Sequence, residues 1–424
     1  MSETSFEETV FEALTDDTSG QGGLSDAAAT HEAGSFLRHA GALSMSKLAD
    51  GLLSPKLVLS WLVAHLGAAS VFVGLLVPIR ESLALLPQLL TAPRIQAMGR
   101  RKWAWAGGSV AQGLACGGIV LAALTLDGNA AGIAICVLLA VLALARSVCS
   151  VSYKDVLGKT VGASRRGSAT GFAASAASIG VITFALFLVI GGGQRLGLVI
   201  AALGLAAVLW VVAGAIFSTL QEEADPGEAH GTPWAQLGLL RDDPQLRLFI
   251  WVRGLLTATA LAPPYLILLG ANGGTFDRLG ALLLASSAAS FLSSYVWGRL
   301  ADRSSRKVLM ACGVLGALAL ALALLLAAVG VADTWWALPL TLFILMIAYH
   351  GVRQGRSTYL VDMAPDGQRS AYTAVSNTVI GVVLLGSGVF GALASLAGAW
   401  VTLALFAGMS ALAAVVALRL DEVE

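Results

Sequence analysis

A few ionisable side chains stand in stretches that are otherwise alanine, leucine and valine, and they are the residues here that can do chemistry. Arg80 and Glu81 adjoin in VPIRESLALL, Arg146 interrupts AVLALARSVCS, Arg253 follows LFIWV, and His65 sits in WLVAHLGAA. His350, Arg353 and Arg356 recur at i, i+3 and i+6 in AYHGVRQGRS, a spacing that places them on one helical face. Gln112 and Asn377 add neutral polarity. Inside a bilayer such groups are costly, and they persist where they bind a solute, carry a proton or pair with one another.

Several readings stay open for each. Glu81 beside Arg80 is either a proton-coupling acid or an ion pair at the outer start of a helix, where the dipole favours an acid. His65, near the middle of its apolar run, is either a pH-sensitive group at a site or a hydrogen-bonded packing residue. The face of His350, Arg353 and Arg356 suits an anionic solute, and equally suits Asp362, Asp155 or a lipid phosphate. Arg146 lies well inside its run and can also snorkel inward with Lys154.

Composition supplies the frame for these residues. The chain has 424 residues, 57% hydrophobic and only 12% charged, with a mean hydropathy of +0.80. A soluble domain carries about 25% charged residues, so lipid is the expected solvent. Net charge is zero, which gives no support for nucleic acid as a partner. Cys116, Cys136, Cys149 and Cys312 lie in apolar runs without metal-ligand spacing and read as small buried hydrophobes.

The first 34 residues are polar and acidic and lack the basic start and apolar core of a cleaved leader, so a disordered tail is expected. Residues 35–53 have rough helical spacing that predicts a short helix on the membrane surface, or else a solvated linker. Apolar runs of about 20 residues, the length of a bilayer-spanning helix, follow near 57–78, 82–98, 103–125, 130–152, 170–192, 196–217, 246–269, 278–298, 308–330, 335–358, 371–393 and 397–418. The second carries Pro87 and Pro93, tolerated where neighbours satisfy the freed carbonyls.

Lys and Arg concentrate in alternate loops, among them Arg100, Arg101, Lys102, Lys154, Lys159, Arg241, Arg299, Arg303, Arg306 and Lys307, against only Arg80, Arg195 and Arg278 in the others. That bias predicts both termini in the cytoplasm. Abundant glycine, 48 residues, offers small faces for helix packing.

The long non-apolar stretch 220–245 divides the spans six and six. GRRKW at 99–103 and SRKVL at 305–309 both follow the second span of their half, and RRGSATG at 165–171 matches QRSAYTA at 368–374 in opening the fifth. The expectation is an all-α membrane protein of about twelve transmembrane helices in two parallel six-helix repeats. Residues 1–55 form the tail, 56–219 the first bundle, 220–245 the linker and 246–424 the second bundle. A path between the halves is a transporter architecture.

WGRLADRSSRKVL, residues 297–309, is the densest charged loop. Gly298, Asp302, Arg303, Arg306 and Lys307 are similar to the loop signature of the major facilitator superfamily, at the end of the eighth span where that family carries its second copy. The first copy, APRIQAMGRRK at 92–102, is degenerate: Ala92 and Gln96 replace the Gly and Asp, and Gly99, Arg100 and Arg101 remain. The resemblance covers about 56–420. It implies that Asp302 caps the inner end of the fifth span, near Ser168, and that the basic residues help close the cytoplasmic side in one state. VPIRESLALLPQL, SVSYKDVLGKTV and HGVRQGRSTYLVDMAP further resemble a poorly characterised group of bacterial permeases of that superfamily, which implies no substrate class. Arg146 looks like the intramembrane arginine of its proton antiporters, whereas their Gly-Pro in the fifth span is missing from TGFAASAASIGVITF.

GKT at 158–160 does not make a phosphate loop, because Tyr153 stands where a Gly is needed. No nucleophile–base pair or metal cluster supports an enzyme. The expected function is secondary transport of a small solute across the inner membrane by alternating access, by a monomer, with protons as the coupling ion and no cofactor. A transport-inactive scaffold or sensor and a lipid transporter are the alternatives.

Overall fold

Long alanine- and leucine-rich runs bounded by Gly, Pro and Ser favour helices, and all regular structure among the described residues is helical. The computed structural model describes residues 29–162, 165–190, 195–224, 238–269, 279–301, 303–365 and 369–423. The first-half helices are α1 (Glu32–Leu53), α2 (Val58–His65), α3 (Ser70–Leu85), α4 (Gln88–Gln96), α5 (Lys102–Thr125), α6 (Gly128–Thr160), α7 (Arg166–Ile190) and α8 (Arg195–Ser218). Those of the second are α9 (Leu239–Asp242), α10 (Pro244–Leu261), α11 (Pro263–Leu269), α12 (Leu279–Ala301), α13 (Ser305–Ala328), α14 (Ala337–Met363), α15 (Arg369–Gly386), α16 (Val389–Ala397) and α17 (Ala399–Ala417).

Among the described residues, eight helical stretches are long and apolar enough to cross a membrane: α5, α6, α7, α8, α10 with α11, α13, α15 with α16, and α17. The start of the chain departs from the sequence expectation. Residues 32–53 do not lie outside the bundle as a surface helix or linker. They form α1, packed against α7 and α8, with Phe36, Ala42, Ala49 and Leu53 fully buried. The chain bends at Ser54 and continues as α2. The run expected as one span at 57–78 is split by a turn at Gly67, whose φ of +78° suits glycine. The turn is held by Asn129, whose Oδ1 accepts from the Ala69 N–H at 3.0 Å. The tail boundary expected at residue 55 therefore cuts through an α1–α2 unit, and the next unit is α3–α4, broken near Pro87.

Small residues set the packing within each half. A Cβ on Gly113 would meet the Ala207 carbonyl oxygen at 2.7 Å, joining α5 to α8; one on Gly313 would meet Ser410 O and Ala414 N at 2.9 Å, joining α13 to α17. A Cβ on Gly51 would meet the Val181 side chain, so Gly51 makes room for α7 against α1.

A shared anchor supports the internal repeat. After α8, the buried Glu222 carboxylate accepts from the N–H groups of Arg101 (3.1 Å) and Lys102 (2.7 Å) at the start of α5. After α17, Glu422 accepts from Ser304, the residue that caps α13, and pairs with Arg306 at 3.8 Å. An acid following the last helix of each half thus docks on the N-terminus of the third, where the dipole favours it. Glu222→Ala leaves two N–H groups uncapped and is expected to cost about 1–2 kcal/mol. A melting temperature unchanged from the parent in the same detergent would refute that anchoring role.

The two halves meet through α3 with α15 and α16, α7 with α12, and α2 with α11. A Cβ on Gly74 would run into Cα of Gly391, and one on Gly280 would lie 2.7 Å from the Val189 N. These approaches lie toward the end of the molecule opposite the one that holds Glu32, Glu222 and Glu422.

Candidate functional site

Between the halves lies a cavity of about 600 Å³. It is lined from the first half by α1, α6 and α7, and from the second by α12 and α14. The ionisable residues on its wall are Lys47, Asp50, Arg146, His350 and Arg353; Ser54, Ser178, Ser286, Ser287 and Ser290 contribute hydroxyls.

Asp50 is the organising residue. Arg80 on α3 donates to its Oδ1 at 2.6 Å, and Arg146 on α6 pairs with its Oδ2 at 3.0 Å. Arg146 also donates to Ser46 Oγ at 3.1 Å. One carboxylate is therefore held between two guanidiniums from different helices, with the Asp50, Arg80 and Arg146 side chains 23%, 13% and 26% exposed. Lys47, one turn before Asp50, donates to the Thr170 carbonyl on α7 at 3.3 Å. Lys56, in the α1–α2 bend, sits 3.4 Å over the Tyr349 ring of α14 and ties the halves together.

The structure moves several expected positions. Arg80 does not open a helix at the outer face; it lies two-thirds along α3 and reaches across to Asp50. Glu81 is half-buried beside it but does not line the cavity. His65 is at the exposed C-terminal end of α2, stacked on Trp61 with ring centroids 4.7 Å apart, because the turn at Gly67 begins there. Arg146 does not snorkel toward Lys154 but turns to Asp50.

Gln112 is buried between α5 and α6, donating to Gly108 O and Cys149 Sγ, both at 3.4 Å, so it is a packing residue away from the cavity. Asn377 accepts from the buried Arg253 at 2.9 Å, and Ser376 accepts from the same guanidinium at 2.6 Å, which fastens α10 to α15. His350 and Arg353 line the cavity as a basic face, while Arg356, one turn further along α14, does not line it.

In the loop motifs, Gly99 and the exposed Arg100 lie between α4 and α5, and buried Arg101 pairs with Asp155 of its own half at 3.3 Å. Gly298 is within α12; Arg303 and Lys307 are exposed; Arg306 pairs with Glu422 of its own half. Asp302 lies outside the described residues.

Sequence reasoning missed Lys47, Asp50 and the serines of α12. The signal for α1 was its small residues Gly41, Ala42, Ala49 and Gly51, together with an apolar run after Pro55 too short to span before Gly67.

With fold and cavity in place, the comparisons agree on a class. Residues 256–424 match the family model of the Major Facilitator Superfamily. Solved structures share the fold of almost the whole chain. The nucleoside transporter NupG (D323A mutant) is 14% identical, with a TM-score of 0.69 over 91% of this chain and 100% of its own. A POT family transporter in complex with 5-aminolevulinic acid is 10% identical, TM-score 0.68, over 90% and 95%. A D-xylose-proton symporter is 11% identical, TM-score 0.67, over 92% and 97%. No curated protein matches the chain in sequence. Residues 256–424 thus carry the sequence pattern of the Major Facilitator Superfamily, and the chain as a whole has that superfamily's fold and is a multi-pass membrane protein.

Proposed function

We propose that the chain is a secondary transporter that moves a small solute across the inner membrane by rocking of two six-helix halves, with protons as the coupling ion. The observation that carries this reading is a cavity walled by both halves, with one carboxylate clamped between two arginines on its rim. The eight apolar stretches become twelve spans if α1 with α2, α3 with α4, α12, and α14 also cross. Of these four units, three put charged or hydroxyl groups on the cavity wall and the other supplies Arg80. The Lys/Arg bias assigns the end holding Glu32, Glu222 and Glu422 to the cytoplasm. On that assignment the cavity lies on the cytoplasmic side of the Gly74–Gly391 and Gly280–Val189 contacts, as an inward-facing state requires.

Asp50 is the coupling group in this reading, in place of Glu81. Ionised, it holds α1 to α3 and α6 through Arg80 and Arg146. Protonated, it accepts more weakly and frees both arginines to repel each other and Lys47. From the facing half, Arg353 and His350 on α14 share the same space. Proteoliposomes with an imposed proton gradient test this. Solute accumulation that collapses with a protonophore is expected; accumulation indifferent to the gradient would rule out proton coupling.

A further inference from the structure

We propose that the solute taken by the central cavity is a small oxyanion, a carboxylate or a phosphate; the inference rests on reading this cavity as the solute site. Its wall carries Lys47, Arg146 and Arg353 against Asp50 alone. Both Asp50 oxygens are already engaged, Oδ1 by Arg80 and Oδ2 by Arg146, so Asp50 has little left with which to balance the remaining cations. Arg353 is in no ion pair among the described residues, and Lys47, hydrogen-bonded to the neutral Thr170 carbonyl, shares the charge of Asp50 with the two arginines. Cations without counter-charge at membrane depth are costly unless an anion joins them.

The geometry suits such a guest. A guanidinium presents two parallel donors to a carboxylate or phosphate, and the hydroxyls of Ser286 and Ser287 add donors around it. A cationic solute would meet like charge. Lys47 and Arg146 belong to the first half, Arg353 and His350 to the second. An anion bridging them draws the halves together, which links occupancy to closure. The cavity of about 600 Å³ admits a metabolite-sized molecule.

The test is calorimetric titration of the full-length protein in phosphatidylcholine nanodiscs with inorganic phosphate, succinate, glucose and choline. Phosphate or succinate binds, and glucose and choline do not. Arg353→Gln weakens the binding at least tenfold, Arg353→Lys restores part of it, and Lys154→Gln, at an exposed position on α6, leaves it unchanged. Preference between phosphate and succinate distinguishes a phosphate from a carboxylate solute. Binding of glucose or choline, oxyanion binding indifferent to Arg353→Gln, or no binding of either oxyanion overturns the proposal. Oxyanion binding without flux in proteoliposomes would instead remove the transport reading and leave the anion site standing.

Discussion

Asp50→Asn is expected to leave solute exchange across a membrane intact while reducing accumulation against a gradient at least tenfold. The amide keeps the size of the side chain, but its single oxygen can accept from only one of the two arginines where they sit, and it carries no charge and takes up no proton at physiological pH. Of the two arginines, 2.6 and 3.0 Å from the carboxylate oxygens, one then keeps a weaker bond and the other loses its acceptor in every state, a loosening that the wild type reaches only when Asp50 is protonated. Counterflow in proteoliposomes reads the exchange, and uptake driven by a proton gradient reads the accumulation. Normal gradient-driven uptake by the variant would remove Asp50 from coupling. Asp50→Ala is a harsher change. It strands two largely buried guanidiniums, and removing one partner of a buried pair costs roughly 3–5 kcal/mol, so this variant should lose more thermal stability than Asp50→Asn, which keeps one acceptor.

The second large effect is expected at the seam between the halves. A Cβ at Gly391 would lie 2.9 Å from the Val71 carbonyl oxygen and 3.1 Å from Cα of Gly74. These are backbone atoms, which cannot swing aside as a flexible side chain would. Gly391→Val therefore wedges α16 away from α3, and transport should fall by about a hundredfold, a cost of roughly 3 kcal/mol for the closed seam. Gly107→Ala, with open space at its Cβ, is the control. Equal transport by Gly391→Val and Gly107→Ala would show that the seam does not close during the cycle.

Much of the architecture was legible in the sequence because long apolar runs can do little in a bilayer except form helices. The runs at 103–125 and 196–217 match α5 and α8 to within a residue. The failure at residues 32–85 has a physical cause. A helix that lines a polar cavity is less apolar than one facing lipid, and α1 carries Glu32, Arg38, Lys47 and Asp50. Its composition is therefore that of a surface segment, although its other faces are buried against α7 and α8. The same effect keeps α14, with His350, Arg353 and Arg356, below the hydropathy of α13. Arg146 and Arg353 were visible as costly charges inside apolar runs. Asp50, the partner of Arg146, was not, because it precedes the first long apolar run. His65 was misplaced by the same error in register.

Thiol accessibility reports whether the cavity opens to alternate sides of the membrane. The four native cysteines are buried, so Ser286→Cys on the cavity wall would supply the one accessible thiol among the described residues. A membrane-impermeant maleimide is applied to inside-out and right-side-out vesicles, with and without saturating solute. Alternating access requires labelling from the cytoplasmic side without solute, a fall in that labelling with solute, and a rise from the opposite side as the cycle turns over. Labelling from one side only, at a rate unaffected by solute, would contradict it.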